Sequence, residues 1–423
     1  MTFSQRILVG LFIWIVTVWA IRHIVLIFIF RLIDVLNLRS PRFRGDRPPL
    51  VSVIIPAKDE EATLGDCLAG VLAQTYSHIE VIIIDDRSSD RTGEIARRIA
   101  EGDSRVRVIT IDQLPSGWTG KTHALHVASR EARGDWFWFI DSDTRHHPES
   151  LAIMLEYAIG GGAVMASLIP KMRCETFWEN VVQPLAGIVL MRSFPLFLVN
   201  SPRTRLAFAN GQYILIERSA YRAAGGHDSV RDRFVEDIYL ARRVKSLGLR
   251  IRVAVGPELS STRMYTSLPQ IVRGWSRILF DAAGRRSWPL IGKILEPLVF
   301  TQAGYLGLIV AIVCKAFGSP SGPFSNWMLG LGIAHFVLSY TVMYRMYRVS
   351  APTTRFVIWY PVAGLVMDWV LVRSLAMCLT GKVTWRGTAY GAGALVNRAV
   401  PRLGAVPPIA LASETAPSPA TPG

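Results

Sequence analysis

Residues 51–90 read VSVIIPAKDEEATLGDCLAGVLAQTYSHIEVIIIDDRSSD. The run at 51–55 is short, β-branched and apolar without alternation, as a strand becomes when both faces of a parallel sheet are covered. Over 60–73 the period lengthens to that of a helix, with Ala62, Leu64, Leu68, Val71 and Leu72 on one side. A second apolar run at 80–84 ends in Asp85-Asp86-Arg87-Ser88-Ser89-Asp90. Outward from this stretch the alternation continues: a charged helix through Ala100, a third strand at 105–111, a helix over 121–133, and a fourth strand at 136–140 that ends in Asp141-Ser142-Asp143. Strands alternating with helices predict an α/β fold with a doubly wound sheet, parallel through these four strands. Ligands of such sheets bind beyond the carboxyl ends of the strands, where the acidic clusters fall.

On either side the composition changes. Half of the 423 residues are hydrophobic, and the excess is concentrated in blocks at 7–30, 299–316, 327–344 and 356–380. Each reaches or approaches the roughly 20 residues a helix needs to cross a bilayer, and no such block falls between Leu50 and Ser287. The first reads as an anchor rather than a cleaved signal: it outruns a usual signal core, lacks a small-residue cleavage site, and is followed by Arg31 and Arg39. Arg22 and His23 interrupt it and are expected near an interface or against another helix. These features divide the chain into an anchor with a basic linker (1–49), an α/β domain (50–285), a C-terminal membrane region (286–404) and a disordered Pro/Ala/Ser/Thr-rich tail (405–423).

The net charge is +15, but the basic residues flank the apolar blocks and no nucleic-acid motif accompanies them. This is the pattern of a multi-pass protein of a bacterial inner membrane whose basic segments and α/β domain face the cytoplasm. Cys67, Cys174, Cys314 and Cys378 are too scattered for a zinc site and read as reduced thiols. One difficulty concerns residues 356–380, which carry Asp368 and Arg373. With Arg345, Arg348 and Arg355 inside, a fourth full span would put Lys382, Arg386 and Arg398 outside, so the segment is either re-entrant or breaks the charge rule.

The chemistry is concentrated in the acidic strand ends. Two carboxylates at i and i+2, as in Asp141 and Asp143, can approach one cation where a strand turns, and with phosphate oxygens and water they make the oxygen set that Mg²⁺ or Mn²⁺ prefers. Pro56-Ala57-Lys58-Asp59-Glu60-Glu61 and Asp85-Asp86 could each be helix N-terminal charge; together they could also accept hydrogen bonds from a base and a ribose. Glu236-Asp237, before Leu240, Ala241, Val244 and Leu247, reads in isolation as another charged helix start. Pro115-Ser116-Gly117-Trp118-Thr119-Gly120-Lys121 is a turn suited to capping or phosphate approach, without P-loop spacing. His123, His126, His146 and His147 lack further ligands at metal spacing and read as packing or solvated residues.

VSVIIPAKDEE, VIIIDDRSSDRT, FIDSD and Phe234-Val235-Glu236-Asp237-Ile238-Tyr239-Leu240 span residues 51 to about 280. In this order and spacing they resemble the family 2 glycosyltransferases of the GT-A fold, a mixed sheet that binds nucleotide-diphospho-sugars. Asp59 departs from the family's usual Asn. The resemblance implies nucleoside contacts from Ala57, Glu60 and Asp86, a donor-phosphate and metal site at Asp141 and Asp143, and Asp237 as general base of an inverting transfer. GWTGK is similar to a segment of carotenoid- and hopanoid-associated members, which implies a donor-site role for Lys121. Gln270-Ile271-Val272-Arg273-Gly274-Trp275 resembles the Q-x-x-R-W element of ceramide glucosyltransferase-like and processive members, departing by the inserted Gly274. Arg263-Met264-Tyr265 and Gly274-Trp275-Ser276 are nearer the carotenoid subgroup. Acceptor or donor-phosphate contacts by Gln270, Arg273 and Trp275 are thereby implied. A plainer reading of the same segment is an interfacial amphipathic helix with Trp275 at headgroup level and Arg273 and Arg277 facing lipid phosphates. The expectation is metal-dependent transfer of a hexose from a nucleotide sugar, UDP-linked before GDP-linked, to the hydroxyl or carboxyl of a polyisoprenoid or other lipid. A processive polysaccharide synthase and an inactive membrane scaffold are the alternatives.

Overall fold

The computed structural model describes residues 1–316, 322–385 and 388–390. Helix α1 (Phe3–Ile29) leads into the α/β domain. Its first half is β1 (Val51–Ala57), α2 (Leu64–Leu72), β2 (Ile79–Asp86), α3 (Thr92–Gly102), β3 (Val106–Ile111), α4 (Gly120–Glu131) and β4 (Trp136–Phe139). Then come β5 (Thr144–His146), α5 (Ser150–Ile159), β6 (Met165–Ile169), β7 (Lys171–Met172), α6 (Phe177–Met191) and α7 (Leu196–Asn200). The domain closes with β8 (Ile214–Glu217), α8 (Arg218–Ala223), α9 (Glu236–Ser246), β9 (Ile251–Val255), β10 (Ser260–Thr262) and α10 (Leu268–Ala282). Helices α11 (Ser287–Pro297), α12 (Ala303–Ala316), α13 (Pro323–Ser350) and α14 (Tyr360–Thr380) follow, then β11 (Val383–Trp385).

Seven strands form one sheet in the order β3-β2-β1-β4-β8-β6-β9. The four strands read from the sequence are all parallel; β8 enters between β4 and β6 antiparallel to both, which makes the sheet mixed. A four-residue apolar run carries no sign of its direction, so this reversal is a tertiary decision. The missing alternation in β1 has the expected cause: Ile54 packs into the core on one face while Val53 and Ile55 pack into the core on the other, all without exposure.

The first helix begins at Leu64 rather than Glu60, because the chain after β1 is tied to the chain after β2. Asp59 has φ 53° and its Oδ1 accepts from the Ser89 N–H at 2.8 Å, while Glu60 N donates to Thr92 Oγ1 and Glu61 N to Asp90 Oδ2. These bonds and the left-handed turn at Asp59 hold residues 59–61 as a loop, and the regular helix starts after them. Asp is among the few residues that tolerate a left-handed φ, so Asp59 serves where the resembled family has Asn. Residues 34–36, in the segment read as a linker, lie along the outer strand: Val35 bridges Val255, and Asp34 pairs with Arg252 at 2.9 Å. They cover an edge that would otherwise present open backbone groups.

Among the described residues, four helical stretches are long and apolar enough to cross a membrane: Phe3–Leu32, Ser287–Val313, Pro323–Ser350 and Arg355–Thr380. Helices α1, α12 and α13 pack on one another, and Arg22 pairs with Glu296 and lies 4.6 Å over the Trp19 ring. Helix α14 behaves differently. Just before its start Phe356 and Trp359 meet Phe177 of α6, along its length Ser276 of α10 donates to Val370 O and Ser374 donates to Ser276 O, and just beyond its end Val383 packs on Phe234 and Phe280. Both ends of α14 therefore touch the α/β domain, and Lys382 lies next to it. Arg386, Arg398 and the 405–423 tail lie outside the described residues.

Candidate active site

A cleft of about 700 Å³ opens beyond the carboxyl ends of β1, β2 and β4. Ala57, Glu60, Asp86, Lys121, Asp141, Asp143, Asp237, Gln270, Arg273 and Trp275 all line it, as does Glu236. Each arrives by a local rule. Ala57 and Asp86 terminate strands, Asp141 and Asp143 sit in the turn between β4 and β5, Lys121 opens α4, and Glu236 and Asp237 open α9.

The electrostatic centre is Lys121. Its Nζ lies 2.7 Å from Asp141 Oδ1 and 2.8 Å from Glu236 Oε1. Burial works against its charge, but Asp141, Glu236 and Asp237 outweigh that and hold its pKa above the ordinary lysine value. Burial pushes Glu236 up, opposed by Lys121. Asp237 is pushed up to about 7 by burial and by the neighbouring Glu236, against the pull of Lys121 and of two backbone donors. Those donors are Gly211 N to Oδ2 and Ile238 N to Oδ1, both at 2.7 Å, and they fix the carboxyl plane. A carboxyl that titrates near neutrality, is held rigidly and faces a cleft is suited to taking a proton.

Asp86 is buried and holds Arg87, which has φ 56°, through Nε at 2.7 Å and Nη2 at 3.0 Å. Asp141 and Asp143 are each partly exposed to the cleft. Two adjacent carboxylates fit a hard divalent cation in donor type, with remaining positions left for phosphate and water. Among the described residues no group of three or more His, Cys, Asp or Glu is placed to hold a metal by itself. His146 is a packing residue: burial pushes it down to about 3, and it sits edge-on to Trp138 and Tyr213. His123 and His126 pack on Trp118.

Three outcomes differ from the reading of the sequence. Trp275 is not at a headgroup surface; it is 4% exposed, packed with side chains of α6 and α14 and forming a wall of the cleft. The helical period could not tell lipid from protein on its apolar side. Gly274, the departure from Q-x-x-R-W, has a steric cause: a Cβ there would come within 2.1 Å of the Tyr265 ring. Gln270 also ties down the chain entering α10, its Oε1 accepting from Thr266 N and Oγ1. Missed altogether was Asp281, wholly buried, whose Oδ2 accepts from the N–H groups of Phe234 at 2.6 Å and Val235 at 3.1 Å while Oδ1 pairs with Arg285 at 2.7 Å. It ties α10 to the loop that carries Glu236 and Asp237. One aspartate in an amphipathic helix gives no signal of this. Glu179, equally buried, grips Arg263 through both oxygens, and so holds Met264 and Tyr265 in the cleft wall.

Residues 52–225 match the model of glycosyl transferase family 2. The α/β domain is a family 2 glycosyltransferase domain. The chain that carries this glycosyltransferase domain is 25% identical over 348 residues to the 4,4'-diaponeurosporenoate glycosyltransferase of Staphylococcus aureus (strain MRSA252), covering 80% of this chain and 88% of that protein. The protein of that name from strain USA300 matches to the same extent. Among solved structures, a mannosyltransferase from Pyrobaculum calidifontis, in complex with GDP-Man and Mn²⁺, is 16% identical with a TM-score of 0.48, covering 88% of this chain and 99% of that one. Glucosyl-3-phosphoglycerate synthase from Mycobacterium tuberculosis, with Mn²⁺ and UDP-Glc, is 22% identical with a TM-score of 0.39, covering 60% and 87%. Neither structural likeness is close enough to bear on the donor or the metal of this glycosyltransferase domain.

Proposed function

We propose that the protein is a membrane-bound inverting glycosyltransferase that moves a hexose from a nucleotide sugar, UDP-linked before GDP-linked, to the hydroxyl or carboxyl of a polyisoprenoid or other lipid. The observation that carries this reading is the setting of Asp237. Its carboxyl is buried, oriented by two backbone N–H groups, raised to about 7, and faces a cleft lined by carboxylates and by apolar side chains of α6 and α10.

In the proposed step the acceptor O–H gives its proton to ionised Asp237 as its oxygen bonds to the anomeric carbon. The bond from that carbon to the leaving phosphate oxygen breaks on the opposite side, and the nucleoside diphosphate departs with the electron pair. A single displacement inverts the anomeric carbon, as one base without a covalent intermediate requires. Ala57, Glu60 and Asp86 are assigned to the nucleoside. Asp141 and Asp143 would hold Mg²⁺ or Mn²⁺, which when bound neutralises charge on the diphosphate. Lys121 pairs with Glu236 beside the base and adds a positive charge where the diphosphate would lie. Gln270, Arg273 and Trp275 are assigned to the acceptor side of the cleft. The lipid acceptor is supported by the apolar helices around that side and by the name of the staphylococcal relative. Basic residues along the domain's flank support a cytoplasmic domain on a bacterial inner membrane.

Purified protein in lipid, given labelled UDP-glucose and a lipid extract, tests the reading by product mass and anomeric configuration. One inverted hexose on a lipid is expected. A polymer would favour the processive alternative, retention would remove Asp237 as sole base, and no transfer from UDP- or GDP-hexoses would overturn the assignment.

A further inference from the structure

The cleft is chemically divided. Its lining divides by element: Lys58, Glu60, Asp86, Lys121, Asp141 and Asp143 come from the strand ends and α4, whereas α6 and β7 bring only the apolar Met172, Gly187, Leu190 and Met191, and α10 brings Ile278 beside Gln270, Arg273 and Arg277. Leu190 and Ile278 touch both the core of the α/β domain and the helix cluster built by α1, α6, α10, α13 and α14. The apolar part of the lining therefore sits where domain and membrane helices meet, between α6 and α10.

Gly187 is the telling residue. It lies inside α6, where glycine weakens a helix. Its φ is not positive, and a Cβ built on it would meet only Met172 Cε, at an ordinary 3.7 Å. Neither backbone conformation nor close packing demands a glycine there. What glycine does provide is width, since any larger side chain would project into the apolar part of the cleft. One turn earlier, Pro184 removes an N–H from the same helix. Two helix-weakening residues thus fall within one turn on the element that borders the cleft.

We propose that this apolar part is an acceptor channel: the hydrocarbon chain of a bilayer lipid lies between α6 and α10, passes over Gly187 beside Met172, and presents its terminal hydroxyl or carboxyl to Asp237. The proposal rests on the reading of Asp237 as base and deepens it by giving the acceptor a long unbranched or isoprenoid apolar chain and a defined path. Gly187 sets the channel's width, and Ile278 faces it from α10.

Binding to the full-length protein in detergent tests this with cis-parinaric acid, a fluorescent conjugated fatty acid, alongside UDP measured by calorimetry. Gly187→Phe should weaken parinarate binding tenfold or more, about what is lost when two methylenes are kept out of an apolar site, and leave UDP affinity within about twofold. Gly187→Ala should bind both as the wild type does. Parinarate binding by Gly187→Phe at wild-type affinity overturns the channel. Should Gly187→Phe also lose UDP, Ile278→Trp decides from the facing wall: it must weaken parinarate at unchanged UDP affinity, and wild-type parinarate binding overturns the proposal. A wild-type protein that binds parinarate in a Gly187-dependent way but no nucleotide supports the channel and removes the donor reading instead, so the two fail separately.

Discussion

At the scale of single residues, Asp237 makes the sharpest claims. Asp237→Asn should lower kcat and kcat/KM together by about 10²–10⁴ with donor affinity intact, since a base acts only in transfer. Because its folded pKa is about 7, kcat/KM should fall as pH drops below that value. The sign for stability is opposite. A carboxyl raised on folding contributes stability at low pH that is lost as pH rises through about 7, so Asp237→Asn should gain in Tm over wild type at pH 8 and not at pH 4. Asp143→Asn, or chelation by EDTA, should cut kcat/KM roughly a hundredfold, the scale of one preorganised electrostatic contact; full activity in EDTA would end the metal assignment. Asp281 acts through others: it positions the 234–237 loop and does not touch the reacting atoms. Asp281→Asn leaves Arg285 and Arg233 partly uncompensated in a buried site and should cost about 3–5 kcal/mol. A purely structural role would stop there, whereas positioning also lowers kcat at unchanged donor affinity and moves the pH limb set by Asp237.

At the scale of elements, α10 was legible as an amphipathic helix and misread as to what its apolar side meets. Its face toward α14 is held by the Ser276–Val370 and Ser374–Ser276 bonds, and Gly274 admits the Tyr265 ring. Gly274→Ala should therefore destabilise by about 1–3 kcal/mol, the usual cost of overpacking. Tyr265→Ala removes the obstacle, so the double variant should be clearly less than additive in a thermal or denaturant cycle. If the costs simply add, the crossing of Tyr265 over α10 is not what requires glycine.

At the scale of the whole molecule, the four apolar stretches long enough to cross a membrane are not packed alike. Helices α1, α12 and α13 pack together, whereas both ends of α14 return to the α/β domain. A re-entrant α14 would keep Arg345, Arg348, Arg355 and Lys382 on one side of the membrane, as the positive-inside rule requires. In a cysteine-free background, Arg355→Cys and Lys382→Cys should react with a membrane-impermeant maleimide from the same side of sealed vesicles, the side that also exposes the α/β domain. Labelling from opposite sides would make α14 a full span.

The sequence alone determined the strand–helix alternation, the acidic strand ends and the resemblance to family 2, because these are written in local period and residue type. It also offered residues that line the cleft: Ala57, Asp86, Asp141, Asp143, Lys121 and Asp237 sit at or just beyond an element's end, where topology points them past the sheet. Direction of β8, burial of Trp275, the latch at Asp281 and the return of α14 were decided only in three dimensions. An apolar face is read from sequence as needing cover, but lipid and protein cover it equally well by transfer free energy. Likewise a carboxylate in a helix reads as surface charge until packing encloses it with the backbone donors and arginines that offset its burial.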